Sequence, residues 1–223
     1  MLYLIVTGGP LPDEASQVIT EASELVSGTV IIGCDGGCDF LASHGIVPDM
    51  AVGDMDSISQ DGLGFLELNN VFTERYPAEK DWTDTEIALG KAEDDDDIIL
   101  VAPVTGRIDH VIANLQLVLN FRVSGRKIKI TDGITSCYPL YGEDDVTVEL
   151  DPVKGPVAVS LIPWDFSSPV KGVSTKGLYY PLEDHDLAAG STFSFSNCPL
   201  SGAKRFTVSI KSGLMLVVVT EAK

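Results

Sequence analysis

LYLIVTGG, residues 2–9, opens the chain with a run of apolar and β-branched side chains that stops at two glycines. Its length suits one buried strand and is far too short for a membrane span or a signal sequence. The same pattern recurs along the first half: TVIIGC (29–34), DMAVGD (49–54), NVFTER (70–75), DIILVAP (97–103) and KIKITD (127–132). Between most of these runs lie segments of helical period. Asp13 to Val26 has apolar residues at 15, 18, 19, 22, 25 and 26, and Thr83 to Ala92 reads similarly. Asp109 to Val123 places Val111, Ile112, Leu115, Val118 and Leu119 on one face. Uniformly apolar strands alternating with helices predict a mostly parallel sheet covered on both sides, a Rossmann-like α/β half.

The character changes near residues 132–138. From there Gly, Pro and Ser punctuate short runs such as DVTVEL, PVAVSLI, STFSFS, RFTVSI and GLMLVVVT, with no helical period left. Short strands with frequent turns predict an all-β sandwich or barrel. The expected domains are therefore residues 1–135, α/β, and 136–223, β-rich.

The chain has 223 residues, with 33 acidic against 15 basic side chains and a net charge of −18. That charge argues against nucleic-acid binding, which needs a basic footprint. No segment reads as a membrane span, and a cytoplasmic protein is expected. Cys34, Cys38, Cys137 and Cys198 form no CxxC and no zinc spacing with the histidines, so they read as thiols. Asp94 to Asp97 reads as a solvated connection.

Chemistry gathers after the strands. Gly8-Gly9 follow the first, Asp35-Gly36-Gly37 the second, and Gly53, Asp54 and Asp56 the third. Lys80, Asp81 and Asp84 follow the fourth, and Gly106, Arg107 and Asp109 the fifth. In a parallel sheet these loops emerge at one edge, where ligands bind. Residues i and i+2 of an extended segment point the same way, so Asp54 and Asp56 would face one volume. Two such charges about 4 Å apart repel by about 4 kcal/mol at an effective dielectric near 20. A divalent cation reverses that sign, and Mg²⁺ favours carboxylates together with phosphate oxygens. The same pair also fits a turn and N-cap before a helix starting near Ser57. Thr83 with Glu86 fits a capping box that puts Asp84 in the first helical turn. Asp109 reads as an N-cap, Arg107 as a planar fork for phosphate, and Asp35-Gly36-Gly37 either as a turn or as a phosphate cradle. His110 fits a packed or capping residue, or an acid–base group. Neither a Walker A sequence nor GxGxxG is present.

CDGGCDFLASHGIVPDMAVGDMDSI (34–58), PAEKDWTDTEIAL (77–89) and TGRIDHVIANLQLV (105–118) together resemble the thiamin pyrophosphokinase (thiamine diphosphokinase) family. GVSTKGLYYPL (172–182), SFSN (194–197) and VSIKSGLMLVV (208–218) resemble its thiamine-binding β domain. The resemblance implies transfer of a diphosphoryl group from ATP to thiamine, with Mg²⁺, in a homodimer whose active sites form between subunits. It assigns Asp54, Asp56 and Asp84 to metal and phosphate. It assigns Asp35, Gly36, Lys80, Asp81, Arg107 and Asp109 to ATP, and Ser196 and Asn197 to thiamine. The catalytic set is then Asp54, Asp56, Asp84 and Arg107. Other readings of the residues are a diphosphokinase for another alcohol such as a hydroxymethyl pterin, a metal-dependent phosphohydrolase, or a non-catalytic thiamine-binding protein.

Overall fold

The computed structural model describes residues 1–151 and 155–222. The chain divides into two compact units, with the boundary between Ile134 and Thr135. The first unit runs β1 (Leu2–Thr7), α1 (Glu14–Leu25), β2 (Thr29–Cys34), α2 (Gly37–Ser43), β3 (Met50–Gly53) and α3 (Gln60–Leu68). It continues through β4 (Phe72–Arg75), α4 (Asp84–Leu89), β5 (Asp97–Val101), α5 (Ile108–Val123) and β6 (Lys127–Thr131). Its strands lie in the order β4-β3-β2-β1-β5-β6, and every pairing is parallel.

β1 is buried at every position, which is why it shows no alternation. Leu2, Leu4 and Val6 share one face with Ala15 and Ile19 of α1 and Leu41 of α2. Cys38 of α2, Ala51 of β3 and Leu66 of α3 form a neighbouring cluster with Met55 and Ile58. β1 is flanked by β2 on one side and β5 on the other. The chain builds outward to β4, then returns across β1 to start the other wing. The loops after β1 and β5 therefore part in opposite directions and leave a crevice at the strand ends, the usual ligand position in such sheets.

Among the described residues the second unit holds seven strands: β7 (Thr135–Tyr141), β8 (Asp144–Glu149), β9 (Val157–Pro163), β10 (Val170–Lys176), β11 (His185–Leu187), β12 (Arg205–Ile210) and β13 (Leu214–Glu221). β7-β13-β9 pair antiparallel, as do β11-β10-β12-β8. Leu140, Val159, Leu161, Met215 and Val217 from the first set meet Val148, Val173, Phe206 and Val208 from the second in one core, the layering of a sandwich.

Three local expectations differ. α3 begins at Gln60, because Ser59, not a residue near Ser57, accepts the Gly62 N–H at 3.0 Å. α5 begins at Ile108, with Arg107 at the cap position, so Asp109 lies inside the first turn and is not the N-cap. Within the acidic run, Asp94 and Asp95 are exposed but Asp96 is buried. It accepts from the Met1 ammonium at 2.5 Å and from the Glu93 N–H at 2.9 Å, so this one member of the run is an anchor, while Asp94, Asp95 and Asp97 stay exposed as a solvated connection does. All four cysteines are free, and Cys34, Cys38 and Cys137 are buried. Among the described residues no helix is long and apolar enough to cross a membrane.

Candidate active site

A cleft of about 990 Å³ opens at the carboxyl edge of the parallel sheet. Its walls come from the turns after β1, β2, β3 and β5 and from the segment entering α4. Asp35, Gly36, Asp54, Lys80, Asp81, Asp84, Arg107 and Asp109 all line it. Asp56 is exposed and does not line it, yet it touches Asp54.

The backbone is forced where these turns meet. Gly53 has φ +149, and a Cβ there would collide with the Asp35 carboxylate. Gly37 lies so close to the Val6 carbonyl that only a residue without a side chain fits. Asp35 and Met55 hold left-handed conformations, φ 44 and φ 66. Non-glycine residues persist there only when the surroundings over-determine them, and they concentrate at functional sites. The ties are visible. Asp35 Oδ1 accepts the Met55 N–H at 3.2 Å, and Ser57 Oγ accepts the Gly36 N–H at 3.2 Å. Asp39 of α2 accepts the Ser59 N–H at 3.0 and 3.2 Å and its hydroxyl at 2.6 Å.

Asp54 and Asp56 meet by a route the sequence does not suggest. β3 stops at Gly53, and the left-handed Met55 folds the chain so that the Asp56 N–H reaches Asp54 Oδ1 at 3.1 Å. An extended segment is thus replaced by a turn. That amide holds the Asp54 carboxyl below its usual range, with Lys80 adding to the effect. The hydrogen bond and charge of Asp54 push Asp56 up.

Asp35 and Asp84 form the second acidic pair. Burial, and then the hydrogen bond with Asp84, push Asp35 up to about 7. Lys80 Nζ lies 3.1 Å from Asp84 Oδ1 and donates to the Pro77 carbonyl at 3.1 Å. Asp84 Oδ1 is enclosed and, despite the nearby ammonium, makes no hydrogen bond, because the angle is wrong. Thr83 caps α4 by accepting the Glu86 N–H at 3.2 Å, and so presents Asp84 from the first turn.

The expected metal clamp is thus divided. Among the described residues no three His, Cys, Asp or Glu side chains stand close enough together to hold an ion as arranged. Asp54–Asp56 and Asp35–Asp84 stand as separate pairs, although the charge of Asp54 adds to the rise of Asp35 and that of Asp84 to the rise of Asp56. The donor chemistry nevertheless suits a hard cation: only carboxylate oxygens, one of them buried without a hydrogen bond.

Arg107 does not stand alone. Its Nε and Nη2 grip Asp109 at 3.2 and 2.6 Å, and that fork holds the Asp109 carboxyl down at about 2. Asp81 and His110 are exposed on the wall. The sequence reading missed Asp39, Ser57 and Ser59, which tie the turns together. Their only sequence signal is a short polar side chain beside each acidic turn.

In the second unit Ser196 is exposed at φ 56, its N–H donating to Ser160 Oγ at 3.1 Å. Asn197 is buried. Its Oδ1 accepts from the N–H groups of Tyr180 at 3.1 Å and Cys198 at 2.9 Å, and its Nδ2 donates to the Tyr180 carbonyl at 2.7 Å. Most of that amide is spent holding the bend that carries Tyr179 and Tyr180.

A parallel sheet with acids, a lysine and an arginine at its switch point defines a site for phosphate-bearing ligands. Two family models match: thiamin pyrophosphokinase, catalytic domain, over residues 22–130, and thiamin pyrophosphokinase, vitamin B1 binding domain, over residues 145–215. The thiamine pyrophosphokinase of Bacillus subtilis is 32% identical over 219 residues, covering 96% of each chain. A crystal structure of that enzyme superposes with a TM-score of 0.79 at 27% identity, covering 100% of both chains. The thiamin pyrophosphokinase of Geobacillus thermodenitrificans gives 0.77 at 28% identity, over 100% of this chain and 99% of that one. The chain belongs to the thiamin pyrophosphokinase family.

Proposed function

We propose that the protein transfers a diphosphoryl group from ATP to the hydroxyl of thiamine, giving thiamine diphosphate and AMP. The observation that carries this reading is the meeting of Asp35, Asp54, Asp84, Lys80 and Arg107 around one cleft at the sheet's switch point. Transfer of this kind depends mainly on positioning and on neutralising phosphate oxygens. Asp54, Asp56 and Asp84 would hold Mg²⁺, which when bound neutralises phosphate charge during transfer. Lys80 and the Gly36 turn bind and orient the polyphosphate. Arg107, fixed by Asp109, keeps Nη1 uncommitted to meet charge that develops on the phosphoryl oxygens. Asp81 and Asp109 shape the nucleotide wall, and Ser196 offers its hydroxyl to thiamine beside the segment that Asn197 orders.

The finer assignments are a cytoplasmic homodimer and an active site formed between subunits. The exposed aromatic side chains Tyr179, Tyr180, Phe193 and Phe195 support such an assembly, since exposed apolar groups on one unit favour burial against another surface. Mixing Asp54→Asn with Ser196→Ala chains should restore activity if sites are shared, and should not if each chain works alone.

The deciding experiment incubates the protein with thiamine, ATP and MgCl₂ and identifies the nucleotide. AMP with thiamine diphosphate is expected. ADP would make it a monophosphate-transferring kinase, and phosphate or pyrophosphate released without thiamine would make it a hydrolase.

A further inference from the structure

Trp82 is a large apolar side chain in a cleft whose other walls are mostly acids, small residues and prolines, with Lys80, Arg107 and His110. Its side chain is 60% exposed. Among the described residues lining the cleft, Trp82 and His110 are the aromatic ones. No ring of the described residues stacks on Trp82. A single exposed apolar residue is ordinary on a protein surface. Here the position is not ordinary: Trp82 lines both the cleft and a smaller hollow shared with Tyr76, Glu86, Phe121 and Lys91, whose ammonium is taken by Glu74. Trp82 lies in a segment bracketed by the Lys80–Asp84 ion pair and followed by the Thr83 cap of α4.

The surroundings select the ligand. Asp81 and Asp84 flank the indole in sequence, and Glu86 lines the adjoining hollow. Tryptophan attracts a cation over its face more strongly than any other side chain. A positively charged heteroaromatic ring gains from both the indole and the acids, whereas a neutral purine gains only from the stacking. Distance agrees. In the proposed reaction the nucleophilic hydroxyl is joined to the thiazolium by two carbons, so that ring must sit beside the carboxylates that hold the phosphates, and Trp82 is two positions from Asp84.

We propose that Trp82 stacks on the cationic ring of the acceptor and sets the enzyme's preference for a charged ring; this rests on the thiamine reading above. The test uses the whole protein. Trp82→Leu raises KM for thiamine about tenfold and Trp82→Phe by less, with KM for ATP unchanged, the range a cation–π contact gives. A second readout needs no turnover. The chain's two tryptophans are Trp82 and Trp164, so Trp164→Phe leaves Trp82 as the only indole. Thiamine added to that variant without ATP quenches the emission saturably, and a neutral reduced-ring analogue does not. A rise in KM for ATP alone would assign the indole to the nucleobase and overturn the proposal. So would unchanged KM values with no quench, or equal quenching by the neutral analogue. If wild type makes no thiamine diphosphate at all, the reaction assignment fails. If wild type is active and the Trp82 variants match it, only the present inference fails.

Discussion

Asp54 keeps its charge because an amide and a lysine hold its proton affinity down, not because a strand end points it outward. Replacing it by Asn keeps an oxygen for the Asp56 N–H, so the turn and the fold survive. What disappears is one negative charge lining the cleft proposed to take the polyphosphate. Asp54→Asn should therefore melt within a few degrees of wild type while AMP formation falls by roughly 10²–10³, the scale of losing one charge-stabilising contact. Near-normal turnover would remove Asp54 from the catalytic set. Away from the cleft, Lys91 Nζ lies 2.6 Å from Glu74 Oε2 and 3.2 Å from the Tyr76 hydroxyl, which itself donates to Glu74. Lys91, then Tyr76, depress the Glu74 carboxyl below its usual range. A carboxyl whose folded value is lowered contributes stability above its ordinary pKa and loses it as pH falls through the folded value. Lys91→Met should cost about 0.5 kcal/mol at pH 7, because the pair is partly solvated. In urea titrations the gap to wild type should close below about pH 4 as Glu74 protonates. A gap independent of pH would mean that packing, not charge, holds Lys91.

At the level of elements, the loop carrying Asp54 and Asp56 owes its shape to α2. The Asp39 carboxylate receives both donors of Ser59, and Gly62 of α3 is bare because a Cβ there would strike that same carboxylate. Asp39→Ala leaves the Ser59 N–H without its partner, a loss of about 1.5–3 kcal/mol for hydrogen bonds to a charged group. The expected signature is a higher Mg²⁺ concentration for half-maximal rate, with KM for thiamine unchanged. An unchanged Mg²⁺ requirement would show that the loop holds its shape without the tether. This loop also marks where sequence reading ends. The strands were legible because β1, β2 and β5 are nearly unbroken apolar runs and β6 is rich in β-branched residues, and most of the acids that line the cleft were legible because they follow such strand-length segments. The left-handed Met55, the fork of Arg107 on Asp109, the raised proton affinity of Asp35 beside Asp84, and the burial of Asp96 were not. Each depends on a partner brought in by another turn, or on a backbone conformation with no glycine to announce it. The cap of α5 was misplaced for the same reason: the side chain that looks free to cap, Asp109, is occupied by Arg107.

Over the whole molecule, an excess of 18 negative charges raises the local concentration of any cation near the surface, but salt screens that attraction beyond about 8 Å. A site must do more than collect ions. In the cleft, Asp35 holds a proton up to about pH 7, and Asp84 leans on Lys80, so much of the acidity there is already compensated. A bound divalent ion would displace the proton from Asp35, and such binding stabilises only the folded state. Mg²⁺ should therefore raise Tm beyond NaCl of equal ionic strength, and more at pH 8 than at pH 6, where the ion must compete with the proton. At a hundredfold excess over Kd the gain is about 2.7 kcal/mol. For a chain of this size that corresponds to ~5–10 °C. Asp54→Asn should reduce the Mg²⁺-specific part and leave the NaCl response alone. If Mg²⁺ and matched NaCl shift Tm equally at both pH values, the acids of this cleft act as a general anionic surface, and their grouping has another cause.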